Sequence, residues 1–165
     1  MPEKETVERA REDAREGKSP STQAGEFVRE EFDHVREGKH GARSTKQVIA
    51  IGLSKARRAG VKLEAPSTRK TSPETRKHAR RDYRQGQSHS RLAPSAKRSR
   101  ATRDALKKEG HSAASAKSIS KQAHVSARER SAAERHGAAL KAVRTKAKKR
   151  AAGEAAGSER TGTRG

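Results

Sequence analysis

Cysteine and tryptophan are absent, and the aromatic residues amount to Phe27, Phe32 and Tyr83. Without cysteine there is no disulfide framework and no thiolate zinc site. With three rings there is little for unpaired bases to stack on. Large aliphatic side chains are scarce as well: Leu, Ile, Val and Phe together number 17 of 165 residues. That lies below the roughly 20% under which a highly charged chain is expected to be disordered. No apolar run is long enough to cross a membrane, and "MPEKETVERA" lacks the apolar centre of a secretion signal. The expected location is therefore cytoplasmic, with no membrane partner and no cofactor.

What the chain does contain is positive charge, +21 in total. Residues 1–64 carry 14 basic and 12 acidic side chains, whereas residues 65–165 carry 27 and 8. The first part is a mixed-charge segment able to fold. The second is a basic arm, and a polyanion, above all a nucleic acid, is its natural partner.

Three helices are expected in the first part. Glu3 to Glu16 alternates acid and base around a thin apolar line at Val7, Ala10 and Ala14, and ends at Gly17. In "KSPSTQAGEFVREEFDHVREGK", Ser19 before Pro20 fits an N-cap followed by proline at the first helical position. Val28, Phe32 and Val35 follow at i, i+4 and i+7, and Gly38 stops the helix. The third helix is the best specified. Ser44 and Gln47 form a capping box, Arg57 and Arg58 sit in the last turn where the dipole favours cations, and Gly60 suits the left-handed position after it.

The third helix is apolar over an arc of about 200° at ~100° per residue, whereas one neighbouring helix covers nearer 100°. Val48, Ile51, Gly52, Ala56 and Ala59 lie on this surplus face, the last three as a small-residue stripe. Such a face is expected to be covered by a second copy through residues 44–60, by the first helix, or by a partner.

The whole chain then reads as mostly α with extensive disorder: a short N-terminal helical hairpin module followed by a basic, partly helix-competent arm. The expected boundaries are a polar helix at 1–18, the module at 19–64 with helices at about 20–37 and 45–59, and a flexible linker at 65–94. A helix-competent Ala/Lys/Arg-rich arm follows at 95–152 and a disordered tail at 153–165. A faint internal echo is also present. Glu37–Gly38 precedes Ser44, Lys46 and Val48, and Glu109–Gly110 precedes Ser115, Lys117 and Ile119.

Enzymatic readings lack parts. The seven histidines (34, 40, 78, 89, 111, 124, 136) form no HExxH and no i, i+4 pair, and "REGKHGAR" lacks the spacing of a phosphate-binding loop. No catalytic or metal site is expected. The candidate DNA-binding residues are Arg80, Arg81, Lys97, Arg98, Arg100, Lys107, Lys108, Lys146, Lys148, Lys149 and Arg150 along the arm. A smaller patch comprises Arg43, Lys46, Arg57, Arg58 and Lys62. Each would neutralise a phosphate and release counterions. A base-reading recognition helix is not evident, so binding is expected to follow the duplex backbone.

The run "SPSTQAGEFVREEFDHVREGKHGARSTKQVIAIGLSKARRAGVKL" resembles a family of small basic bacterial proteins catalogued as domain-of-unknown-function 6496. The matching parts are Ser19–Gln23, Arg36–Arg43 and Ser44–Leu63, with Leu106–Ala123 similar to a segment of the family's basic half. Such proteins continue into prolines after "GVKL", where this chain has Glu64–Ala65–Pro66. Members are often labelled DNA-binding, so the resemblance implies a sequence-nonspecific DNA-binding protein, nucleoid-associated or linker-histone-like. The alternatives are an RNA- or ribosome-associated protein, a protein-interaction adaptor with a solubilising tail, and a hydrophilic stress protectant.

Overall fold

The computed structural model describes residues 2–68, 71–88 and 95–161, the side chains of 148, 149 and 152–161 lying outside that description. Among the described residues there are seven α-helices, one 3-10 turn and no strand. None of the helices is long and apolar enough to cross a membrane. The chain divides into two units, Met1–Gln122 and Ala123–Gly165.

The first unit is built on α1 (Lys4–Arg15), α2 (Pro20–Arg36) and α3 (Thr45–Arg58). The local signals act as their chemistry dictates. The Ser19 hydroxyl accepts from the Thr22 amide with Pro20 at the first helical position. The Ser44 hydroxyl accepts from the Gln47 amide, while Gln47 Oε1 reaches back to the Arg43 amide at 2.8 Å. Gly17, Gly38 and Gly60 take positive φ at the three helix ends, where other residues would be strained.

α2 and α3 bury two small apolar clusters. Phe32 and Val35 meet Val48 in one, and Ala24 and Phe27 meet Ala56 and Val61 in the other. The reversed order means that the two helices run against each other. Gly52 makes their contact close: a Cβ there would lie 2.7 Å from the Val28 Cα. α1 joins the second cluster through Val7 and Ala10.

Two expectations are corrected here. The segment 65–94 is not a linker throughout, because Pro73–Gln87 forms α4, which packs on α3. Ser72 and Pro73 repeat the Ser19–Pro20 cap, with the Thr75 amide donating to the Ser72 hydroxyl. Ala79 and Asp82 are buried and Gly86 lies against the end of α3, where a Cβ would be 1.8 Å from the Arg57 carbonyl. Residues 69–70 and 89–94 of that stretch lie outside the described residues.

The second correction concerns where the folded part stops. After α5 (Ala96–Lys107), a 3-10 turn at Ser112–Ala114 inserts Ala113 and Ala114 into the cluster of Phe32, Val35 and Val48, and Ile119 of α6 (Ala116–Arg128) packs beside them. The backbone is fastened here. The Gly41 amide donates to the Leu106 carbonyl at 2.9 Å, and the Ala42 amide to the Gly110 carbonyl at 3.0 Å. The buried Thr45 hydroxyl donates to the Ala113 carbonyl at 2.7 Å. Part of the basic arm thus completes the core of the module, using alanines too small to stand out in a hydropathy pattern.

In the second unit, α7 (Ala132–Thr161) starts at a reciprocal capping box of Ser131 and Glu134. Leu140 and Val143 are exposed on it. Residues 153–161 of the expected tail continue α7, and residues 162–165 lie outside the described residues.

Candidate functional site

The expected docking face of α3 is largely covered by its own chain. Val48 and Ala56 are fully buried, Gly52 is closed by Val28, and Ile51 and Ala59 are half-buried. α2, α4 and the 3-10 turn are the covering elements, which removes Val48, Gly52 and Ala56 as a surface for self-association.

The basic residues divide sharply. Arg57 is buried, with Nε donating to the Leu63 carbonyl at 3.0 Å and the terminal nitrogen to the Glu64 carbonyl at 3.3 Å. Burial lowers its pKa, partly opposed by Asp82. It fastens the chain leaving α3 and is not a phosphate contact. Arg43 is exposed and pairs with Glu109 at 3.3 Å. Lys46, Arg58 and Lys62 are exposed, with Arg58 donating to the Ser54 carbonyl. On α4, Arg80 and Arg81 are exposed, and Arg81 lies 3.7 Å from Asp82. Asp82 itself is buried and accepts from the Ser54 hydroxyl at 2.5 Å. Lys97, Arg98, Arg100 and Lys107 of α5, and Lys108 after it, are exposed. Lys146 and Arg150 are exposed on α7, while the side chains of Lys148 and Lys149 lie outside the described residues.

The structure adds a feature that the spacing of basic blocks did not reveal. An open groove of about 440 Å³ is lined by Glu64, Ala65, Arg76, Arg80, Tyr83 and Arg84. The helical spacing of Arg76, Arg80, Tyr83 and Arg84 at i, i+4, i+7 and i+8 was the available signal, hidden because the segment reads as a linker. Arg76 Nε donates to the Pro66 carbonyl at 3.0 Å, holding the chain that forms one wall.

Several carboxylates of the first unit are engaged internally. Glu26 accepts from Arg9 at 2.9 Å, and Asp13 and Glu16 from Lys18 at 2.6 and 2.8 Å. These two carboxylates raise the Lys18 pKa. The densest group lies where α1, α2 and α3 meet. Glu30 and Glu31 are buried, and Lys55 pairs with Glu30 at 3.2 Å and also contacts Glu31. Glu3 accepts from His34 Nε2 at 2.9 Å and from Lys39 at 3.1 Å. These bonds, His34 first, hold the Glu3 carboxyl below the usual carboxylate range.

His40 stands just past the end of α2, its ring 6.1 Å from that of His34 and nearly perpendicular to it. Sequence reasoning passed over this pair of histidines. The usable signal was Glu31 and His34 at i, i+3 on one helix face, with His40 shortly beyond the stop at Gly38.

No family model, no curated protein and no solved structure matches the chain. The resemblance described above therefore rests on the residues quoted for it.

Proposed function

We propose that this chain binds duplex DNA along the phosphate backbone without reading sequence, as a nucleoid-associated protein of bacteria. The observation that supports the reading most is the separation of charge. Most acids of α1 and α2 are taken up by internal pairs, whereas Arg80, Arg81 and Arg84 of α4 and the cations of α5 stand exposed. Lys97, Arg98, Arg100, Arg103, Lys107 and Lys108 face only Asp104 within the same stretch. Exposed cations at such density attract a polyanion over distances of about a Debye length, ~8–10 Å. The groove of Arg76, Arg80 and Arg84 offers bidentate guanidinium donors suited to phosphate oxygens. The resemblance of residues 19–63 and 106–123 to a family labelled DNA-binding points the same way.

Phosphate contacts position a protein but carry no sequence information, so affinity is expected to vary little between duplex sequences. The folded unit serves as a platform that holds α4 in place. The test is a salt titration of duplex affinity on the full chain, beside Lys97→Gln/Arg98→Gln/Arg100→Gln. Each lost phosphate contact lowers the log–log slope by ~0.9, so the triple variant should flatten it by about 2–3. An unchanged slope would remove α5 from the interface, and no salt-sensitive affinity at all would end the proposal. Competition with structured RNA at fixed salt separates DNA from RNA as the preferred polymer.

A further inference from the structure

We propose that Glu31, His34 and His40 form a binding site for one divalent transition-metal ion of the zinc class, with a fourth coordination position open. The inference stands apart from the nucleic-acid reading and rests on hydrogen-bond directions inside the first unit.

Two of the four ring nitrogens have assigned roles. His34 Nε2 lies 2.9 Å from Glu3 Oε1, a carboxylate oxygen that only accepts, so this nitrogen carries the proton. His40 Nδ1 lies 3.0 Å from the Gly41 carbonyl and carries its proton for the same reason. In the neutral imidazoles the remaining nitrogens, His34 Nδ1 and His40 Nε2, are bare lone pairs.

Both point at one carboxylate. His34 Nδ1 is 3.6 Å from Glu31 Oε1, and His40 Nε2 is 3.3 Å from Glu31 Oε2. Glu31 is fully buried; its Oε1 is in contact with the Lys55 ammonium, and its Oε2 has no hydrogen-bond partner. Lys55 also donates to a second carboxylate, Glu30, at 3.2 Å, so its charge is shared between the two. The Lys55 ammonium offsets part of the charge at Oε1, but two imidazole lone pairs facing this buried carboxylate, with Oε2 otherwise unpartnered, are unfavourable unless a second cation lies between them.

The dimensions suit that cation. One donor atom from each of the three residues lies within 4.8 Å of the others. A tetrahedral zinc with bonds of about 2.0–2.1 Å places neighbouring donors ~3.3 Å apart. The surroundings are those metal-bound histidines require: one ring is oriented by a carboxylate and the other by a backbone carbonyl, which fixes the tautomers and raises basicity. Two imidazoles and one carboxylate suit zinc and its neighbours better than calcium or magnesium, which take oxygen donors. Three protein ligands leave a position for water or an exogenous ligand.

The site also closes the loop from Gly38 to Arg43, because His40 would be tied to α2. That loop carries the Gly41 and Ala42 amides that hold Leu106 and Gly110. Metal occupancy is therefore expected to stabilise the attachment of residues 106–114.

The test uses the full chain, freed of metal with EDTA and titrated separately with Zn²⁺ and Co²⁺. One equivalent should bind with a dissociation constant of about 1 µM or tighter. Bound Co²⁺ should show the intensified visible absorption of a four- or five-coordinate ion, and the thermal midpoint should rise. Glu31→Gln and His40→Gln should each weaken binding by at least ~30-fold, and His124→Gln by less than ~2-fold. Glu3→Gln, at an exposed position, should weaken it by about 10-fold through the orientation of His34, and it guards against a folding defect in the buried variants. Two results would overturn the proposal. One is a helical wild-type protein that takes up no stoichiometric Zn²⁺ and gives Co²⁺ no intensified absorption. The other is binding that survives intact in His40→Gln and Glu3→Gln, which would assign the metal to other histidines and leave His34 and His40 as cationic partners of Glu31.

Discussion

Gly52→Ala and Gly25→Ala are the same substitution in adjacent helices, and the structure gives them opposite signs. Alanine is a better helix former than glycine by about 1 kcal/mol, so each change is favourable locally. At Gly25 nothing lies within 4 Å of the new methyl, and the gain of ~0.5–1 kcal/mol survives. At Gly52 the methyl would sit 2.7 Å from the Val28 Cα and 2.9 Å from the Val28 amide nitrogen. Ordinary contact begins at 3.4 Å, and backbone cannot rotate aside as a side chain can. α2 and α3 must part by roughly 0.7–1.3 Å, a gap that forfeits a quarter to a half of the dispersion energy along the contact.

Overpacking of this kind costs about 3 kcal/mol at the upper end, so about 2 kcal/mol of net loss remains after the helix gain is subtracted. For a cooperative unit of this size the midpoint should fall by roughly 6–10 °C in Gly52→Ala and rise by roughly 2–4 °C in Gly25→Ala. Thermal unfolding followed by circular dichroism reads both. Equal stabilisation in the two variants would show that α2 and α3 do not meet at Gly52, and the assignment of the small-residue stripe to an intrachain contact would be lost.

Three further outcomes follow from particular side chains. Arg57→Gln should lower unfolding stability by about 2 kcal/mol, through lost donation to the Leu63 and Glu64 carbonyls; because Arg57 is buried, the salt slope of duplex binding should stay unchanged, unlike in Arg80→Gln. Ser72→Ala should cost about 1 kcal/mol by removing the N-cap of α4, visible as faster hydrogen exchange at the Thr75 amide. Lys18 has a folded pKa raised by hydrogen bonds to Asp13 and then Glu16, so its contribution is fully present below the unfolded value of 10.5 and is lost as pH rises through the higher folded value. The stability gap between wild type and Lys18→Gln should therefore stay flat from neutral pH to about 10 and narrow only above it, as denaturant midpoints at stepped pH would record.

The helices of the first unit were legible wherever a cap, a stop and an apolar face coincided. Ser19–Pro20, Ser44 with Gln47, Gly38 and Gly60 bounded α2 and α3 to within a residue of their observed ends. The surplus face of α3 was legible too, but its occupant was not. A second copy, the first helix or a partner is what the sequence suggests for it. Beyond α2, the face is met by groups with almost no hydropathy: Ala113 and Ala114 of the 3-10 turn join Val48, and Gly86 of α4 closes on the end of α3. Ser72–Pro73 shows the same ambiguity. The dipeptide that caps α2 as Ser19–Pro20 caps α4 as well, but in the sequence no apolar line follows it to mark a helix. The buried ionic group was invisible for another reason. His34, Glu31 and Lys55 are ordinary helix-surface residues by spacing, and only α1, bringing Glu3 across them, turns that surface into an interior.

The internal echo gains a physical meaning that repetition alone would not supply. Its two copies meet each other. Ser44 and Ser115 both accept from the amide three residues on, at the N-termini of α3 and α6. Val48 and Ile119, four residues after each serine, join the same apolar cluster. Between them the two glycine-bearing loops are joined by the Gly41 and Ala42 amides, and a Cβ on Gly41 would lie 1.9 Å from the Glu109 carbonyl. A chain poor in large side chains can gain stability from such backbone approach, since each paired amide avoids the cost of a buried unsatisfied group, ~1–3 kcal/mol. Fastening residues 106–114 in this way also fixes one end of α5, whose body buries no residue and carries most of its basic side chains into solvent. The loop pairing thus links the fold to the proposed function: it anchors a cationic helix to helices whose charges nearly balance, without spending that helix's charged surface on packing.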